Sequence, residues 1–174
     1  MYMEEKSGSP LVSVIMPAYN AELYIEEAIR SVLNQTVNDL ELIVIDDTSA
    51  DRTRDIIQAI AREDHRVRPF FNEKNLGVAK TRNRGLELCH GRYVALLDSD
   101  DYLLDDALEK IDLWEKDLPK NGKYCGVVGN LGISPTETPN TPWPEPYRDA
   151  SLLERYPEVK GVLVGEGEES FYEL

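Results

Sequence analysis

The chain has 174 residues, with 33 Asp plus Glu against 19 Lys plus Arg, for a net charge of −14 at pH 7. That length accommodates one domain, or one domain with an appendage, around a substantial core. The charge excludes a general attraction for nucleic-acid backbones or anionic membrane surfaces. Two cysteines, Cys89 and Cys125, make neither a disulfide framework nor a metal cluster and read as reduced thiols. No stretch approaches the roughly 18 apolar residues of a membrane span, and residues 1–10 are too polar for a signal peptide. The expectation is a cytoplasmic protein with a disordered tail over residues 1–10.

Leu11–Met16 (LVSVIM) is a β-rich run closed by Pro17. From Glu22 to Leu33 the apolar residues Ile25, Ala28, Ile29, Val32 and Leu33 recur at helical spacing, with Asn20 as the expected N-cap. Glu41–Asp46 (ELIVID) reads as a second strand, and Ile56, Ile57, Ile60 and Ala61 mark a second helix. Val67–Phe71 reads as a third strand that Pro69 restricts to an edge or an irregular end. Val78–Leu88 then reads as a helix, Tyr93–Leu97 as a strand, Asp105–Lys116 as a helix and Tyr124–Asn130 as a fifth strand.

Strands apolar on both faces, alternating with helices, imply a mostly parallel sheet covered on both sides, a three-layer α/β/α architecture. Right-handed crossovers place every strand's C-terminal end on one edge, where open α/β sheets bind ligands. The sequences following those ends are PAYN after the first strand, DDTSAD after the second and DSDD after the fourth. Their convergence on one rim is the strongest indication of a site. Beyond Asn130 the pattern changes: five prolines lie between Pro135 and Pro146, an extended or polyproline-like segment. A short helix, a strand at Val162–Val164 and an acidic end follow.

Asp98 and Asp100 leave a strand two residues apart, so their side chains start on the same face. Hard divalent cations take carboxylate oxygens and keep waters that phosphates can replace. The bland alternative is a solvated turn, with Asp105 or Asp106 serving the next helix start. A calcium-binding EF-hand loop fails, because Tyr102 and Leu103 stand where a ligand and a glycine are required. Asp46-Asp47 either accepts hydrogen bonds from a base or ribose, or Asp47 or Thr48 caps the following helix. The Tyr19 ring either stacks on a planar base or leans on the sheet edge. Lys80 and Arg82 are suited to a diphosphate, whereas Arg84 reads as one cation offsetting neighbouring acids.

VSVIMPAYNAELYIEEAIRSVLNQT, ELIVIDDTSADRT and NLGVAKTRNRGLELCHGRYVALLDSDD closely resemble the nucleotide-sugar-binding half of the family 2 glycosyltransferases, enzymes of the GT-A fold. The resemblance covers roughly Leu11 to Asn130. It implies a nucleotide-sugar-binding domain over residues 11–130, followed by a Pro-rich loop and a short acceptor-side segment over residues 131–174. By that resemblance Pro17 and Tyr19 line and stack on uracil, Glu22 lies near the nucleoside and Asp47 holds the base. Arg82 matches a basic position near the nucleotide. Asp98 lies by the ribose and the metal, Ser99 between the two acids is a further substrate-binding position, and Asp100 is the direct ligand of a Mn2+ or Mg2+ ion.

The reaction implied is inverting transfer of a sugar from a nucleotide-sugar donor, most simply a UDP-sugar, to a glycan or other acceptor hydroxyl. The family's acceptor-side half is normally longer, with an acidic pair heading a helix and its Asp acting as base. Here Glu168-Glu169 is the only counterpart, and it reads more readily as a solvated, mobile acidic terminus. An alternative function is therefore a nucleotide-sugar-binding module without the catalytic base and without turnover of its own. A phospho-accepting receiver domain would need its acid pair after the first strand, where PAYN stands. A homo-oligomer, or peripheral attachment at the inner membrane face through a partner, is compatible with the sequence.

Overall fold

The computed structural model describes residues 8–117 and 171–173. The elements are β1 (Val12–Ala18), α1 (Ile25–Leu33), β2 (Leu40–Asp46), α2 (Thr53–Glu63), β3 (Val67–Phe71), α3 (Val78–Leu88), β4 (Tyr93–Leu96), α4 (Ala107–Asp117) and β5 (Phe171–Glu173). They form one sheet of order β3-β2-β1-β4-β5. The first four strands are parallel, and β5 pairs antiparallel with β4. This is the doubly covered parallel sheet that the alternation of elements implies.

The strands at the centre are the most apolar. All seven residues of β1 and all seven of β2 are buried. Alternate residues serve opposite faces: Val12, Val14, Met16 and Ala18 join Leu40, Leu42 and Val44 in a core completed by Ile25, Ile29 and Val32 of α1, Ile57 and Ile60 of α2, and Leu108 of α4. Ile15 points the other way, toward α3, where Gly85 leaves it room. The helix boundaries follow from this burial: α1, α2 and α3 lie within a few residues of where periodicity places them. The edge assignment of Val67–Phe71 also holds, since β3 pairs only with β2 among the described residues.

Two expectations change. Asn20 does not cap α1, which starts at Ile25 without a side-chain cap. It adopts φ 51°, a left-handed conformation Asn tolerates, and its Oδ1 accepts the Ala50 N–H at 2.8 Å. The chain must double back as it leaves β1, and the neighbouring loop offers Asn20 a partner that the helix does not. In the terminus expected to be mobile, Phe171, Tyr172 and Glu173 pair in register with Ala95, Val94 and Tyr93. A β-prone Phe-Tyr pair meets the otherwise open backbone edge of β4. The strands expected at Tyr124–Asn130 and Val162–Val164, the Pro-rich segment, the short helix after it and Cys125 lie outside the described residues.

Candidate functional site

A cleft of about 340 Å³ opens at the C-terminal ends of the strands. Pro17, Ala18 and Tyr19 enter it from β1, Asp47 from β2, and Asp98, Ser99 and Asp100 from β4. The rim that the strand-end sequences predict is therefore one continuous surface. Each group is there because a buried parallel strand ends and its next residues emerge at the same edge. Tyr19 is 55% exposed, so its ring is available to a ligand rather than folded into the core.

The fourth wall was not foreseen. Asn75, Gly77, Val78 and Thr81 line it, from the loop entering α3 and the first turn of that helix. Gly77 has φ 79°, and the loop turns there into the helix. In the sequence, the stretch NLGVAKTRNRG stands out first for its cations. Its Asn-x-Gly start, a turn signal just before a helix, was the available clue to the wall.

Asp47 is the organising group of that wall. Its Oδ1 accepts from Asn72 Nδ2 at 2.6 Å and Leu76 N–H at 2.9 Å, and its Oδ2 accepts from Gly77 N–H at 2.8 Å. Asn75 Nδ2 donates to the Asp47 carbonyl at 3.2 Å. Burial alone pushes the Asp47 carboxyl upward; the bonds from Asn72, Leu76, Gly77 and Thr81 outweigh it and hold the group below its usual range. Asp47 thus lines the cleft as an ionised acceptor, and it shapes the α3 entry rather than capping α2. The first turn of α2 is served instead by Asp51, whose Oδ1 accepts Thr53 N–H at 3.0 Å.

Arg82 is not among the lining residues of the cleft, but its Nη2 reaches Asp98 Oδ1 at 2.6 Å. Its Nε is buried without a hydrogen-bond partner. Glu22 stands further off. Its Oε2 accepts Arg52 N–H at 3.0 Å while its own N–H donates to Asp51 Oδ2 at 3.1 Å. Together with Ala21 N–H to Thr53 Oγ1 at 2.7 Å, these bonds lace the β1–α1 loop to the β2–α2 loop. Lys80 is exposed, and Arg84 turns away from the cleft to Phe71 O at 3.2 Å and Asn72 Oδ1.

The carboxylates of Asp98 and Asp100 are hard oxygen donors facing one cleft, and Asp101 beside them reports the local charge. Burial, then the negative charges of Asp100 and Asp98, push its carboxyl upward. A cation relieves that excess, and a donor set of two carboxylates suits an ion that keeps positions for water and phosphate. Among the described residues no cluster of three or more metal-ligating side chains forms, so the rest of such an ion's shell would come from the ligand and water. At the opposite end of the sheet, Cys89 is half-buried and in no disulfide; burial pushes its thiol up to about 11, away from the thiolate form. No helix among the described residues is long and apolar enough to cross a membrane.

The chain is similar to several known proteins. A Haemophilus influenzae protein named an uncharacterized glycosyltransferase is 50% identical over 126 residues, covering 70% of this chain and 50% of that protein. The Campylobacter jejuni GalNAc(5)-diNAcBac-PP-undecaprenol beta-1,3-glucosyltransferase is 39% identical over 125 residues, 71% of this chain and 39% of its own length. The chain spans half or less of the length of these relatives. S. aureus TarS, solved in complex with UDP and with UDP-GlcNAc, superimposes with a TM-score of 0.57 at 33% identity, over 61% of this chain and about a third of the TarS fragment. The sheet and helices described above are the GT-A fold of such enzymes. The family model for glycosyl transferase family 2 matches residues 13–162, and the chain belongs to that family.

Proposed function

We propose that this chain binds a UDP-sugar in the strand-end cleft and transfers the sugar, with inversion, to an acceptor hydroxyl. The observation that carries the reading is the joint placement of an exposed aromatic ring, an ionised buried acceptor and the Asp98/Asp100 carboxylates around one cleft. Tyr19 stacks on the base, Pro17 bounds it, and Asp47 accepts from a ring N–H. TarS, solved with UDP and UDP-GlcNAc, supports a uridine donor. Asp100, with Asp98 beside it, would hold Mn2+ or Mg2+, which when bound neutralises charge on the diphosphate leaving group. Ser99 and Asp98 face the ribose, and Arg82 steadies Asp98 through their ion pair. The acceptor oxygen bonds to the anomeric carbon as the bond from that carbon to the diphosphate oxygen breaks. The hydroxyl proton passes to a carboxylate base.

A second reading, a nucleotide-sugar-binding module, is favoured by one observation. The carboxylates described on the cleft are Asp47, Asp98 and Asp100, and each already has another role. Calorimetric titration of UDP with Mn2+ or with EDTA tests both readings, followed by assay of UDP release from UDP-GlcNAc with and without glycan acceptors. Mn2+-dependent UDP binding with acceptor-dependent release supports the transferase. Binding without release selects the module. No UDP binding under either condition overturns the donor assignment.

A further inference from the structure

Building on the uridine site proposed above, we propose that Asn72 is the positioning residue of its base end. Its buried carboxamide orients Asp47 and, through Asp47, the Asn75–Gly77 turn that walls the cleft. Asn72 is not among the cleft-lining residues, so it acts through its neighbours. It follows β3 directly, is only 6% exposed, and its N–H donates to Asp46 O at 2.9 Å. Its Nδ2 is shared between Asp47 Oδ1 at 2.6 Å and Thr81 Oγ1 at 3.2 Å, and its Oδ1 accepts from Arg84 Nη1.

Those partners dictate the amide's polarity. A guanidinium can only donate and an ionised carboxylate can only accept, so the reversed amide would lose both bonds. With Asp47 Oδ1 engaged in this way, its two oxygens receive the Leu76 and Gly77 N–H groups at 2.8–3.1 Å. The turn carrying Gly77 and Val78 to the cleft is therefore tied to β2 through one carboxylate, and that carboxylate is steadied by one amide. Leucine at position 72 would preserve volume but supply neither donor nor acceptor. Aspartate would still accept from Arg84 while confronting Asp47 with a like charge.

That contrast supplies the test. In Asn72→Asp two carboxylates share the site, and one is favoured in its protonated form, in which it can donate to the other. Its UDP affinity is expected to approach that of the wild type near pH 5 and to fall roughly 10- to 100-fold as pH rises toward 8, the loss of one charge-assisted bond. The wild type should vary little over that range. Asn72→Leu should bind UDP roughly tenfold more weakly at every pH. Binding of pyrophosphate with Mg2+, which reads only the other end of the cleft, should change little in either variant. Calorimetry across pH, with thermal melts confirming folding, gives all three readouts.

Wild-type UDP affinity in Asn72→Asp at pH 8 overturns the inference, as does equal loss of UDP and pyrophosphate. Should Asn72→Asp fail to fold, the decision passes to Arg84→Met, which removes one partner of the carboxamide from outside the cleft. UDP weakening without pyrophosphate weakening supports the inference, and unchanged UDP binding overturns it. A wild-type protein that binds pyrophosphate with Mg2+ but not UDP overturns the base-site reading itself, and this inference with it.

Discussion

Asp98 and Asp100 leave the same strand two residues apart yet face the cleft in different states. Asp98 is held by Arg82 at 2.6 Å, whereas Asp100 is exposed. An arriving cation would meet Asp100 without first displacing an arginine, which matches the direct-ligand role proposed for it. Asp100→Ala is therefore expected to remove most of the Mn2+ dependence of UDP binding, a loss of roughly tenfold or more in the presence of metal. Affinity measured with EDTA should barely change. Calorimetry on both proteins checks this, and equal Mn2+-dependent binding by the mutant would falsify the ligand assignment. Asp47 differs in kind: its carboxylate is engaged by the protein before any ligand arrives, so its recognition role and its structural role cannot be separated by deleting it. Changing its supporters separates them.

At the scale of elements, the connection from α3 to β4 is pinned to the starts of β1 and β2. Glu41 sits second in β2, at the end of the sheet away from the cleft. It accepts from Ser13 Oγ at 2.5 Å, from His90 N–H at 2.6 Å and from Arg68 Nη1. Burial pushes its carboxyl up, but these bonds outweigh it and hold the group below its ordinary range. A lowered folded-state pKa means the ionised form is favoured by folding. The associated stability is present above the unfolded value of about 4.3 and is lost as pH falls through the lower folded value. Glu41→Gln removes that contribution. The difference in melting temperature between wild type and mutant should be widest near pH 7 and narrow below about pH 4, as melts from pH 3 to 7 will show.

The same connection depends on two close approaches. A Cβ at Gly91 would lie 2.5 Å from the Ser13 backbone nitrogen, and one at Gly85 would lie 2.4 Å from Ile15 Cγ2. Backbone cannot yield, while the Ile15 side chain can shift and alanine favours the helix at position 85. Gly85→Ala should cost about 1–3 kcal/mol, as an overpacked core site does, and Gly91→Ala more. Denaturant melts rank the two; a larger loss at position 85 would contradict the packing described.

For the molecule as a whole, ligand binding and folding are linked, because the cleft is assembled from β1, β2, β4 and α3 together. UDP with Mn2+ at a hundred times its dissociation constant should add about 2.7 kcal/mol of stability. In a domain of this size that raises Tm by roughly 5–10 °C. EDTA, or Asp100→Ala, should remove most of the rise in a thermal-shift measurement. A shift that persists with EDTA would mean that the nucleotide binds without the metal. The antiparallel strand Phe171–Glu173 belongs to this scale too. It enters the sheet with Phe171 beside Ala95, three residues before Asp98, and Glu168-Glu169 precede it in the sequence.

Much of this architecture was legible in one dimension. Helical spacing in Ile25–Leu33 and the apolar runs of β1 and β2 placed those elements, because burial imposes its period on the sequence. Composition at the strand ends located the cleft, because a parallel sheet brings all those ends to one edge. That convergence made Tyr19, Asp47, Asp98 and Asp100 candidates, and the family resemblance supplied the role expected of each. The partners of those residues were not legible. Asp47 is held by Asn72, Leu76 and Gly77, 25 to 30 positions away, and Glu22 is engaged by Arg52 across two loops. Asn20 offers its side chain to Ala50 instead of to the nearby helix, and Phe171–Glu173 find the edge of β4. Periodicity records which side of an element is buried. Which polar group satisfies which other is decided by chain crossings that bring distant segments within 3 Å, and only the folded molecule contains them.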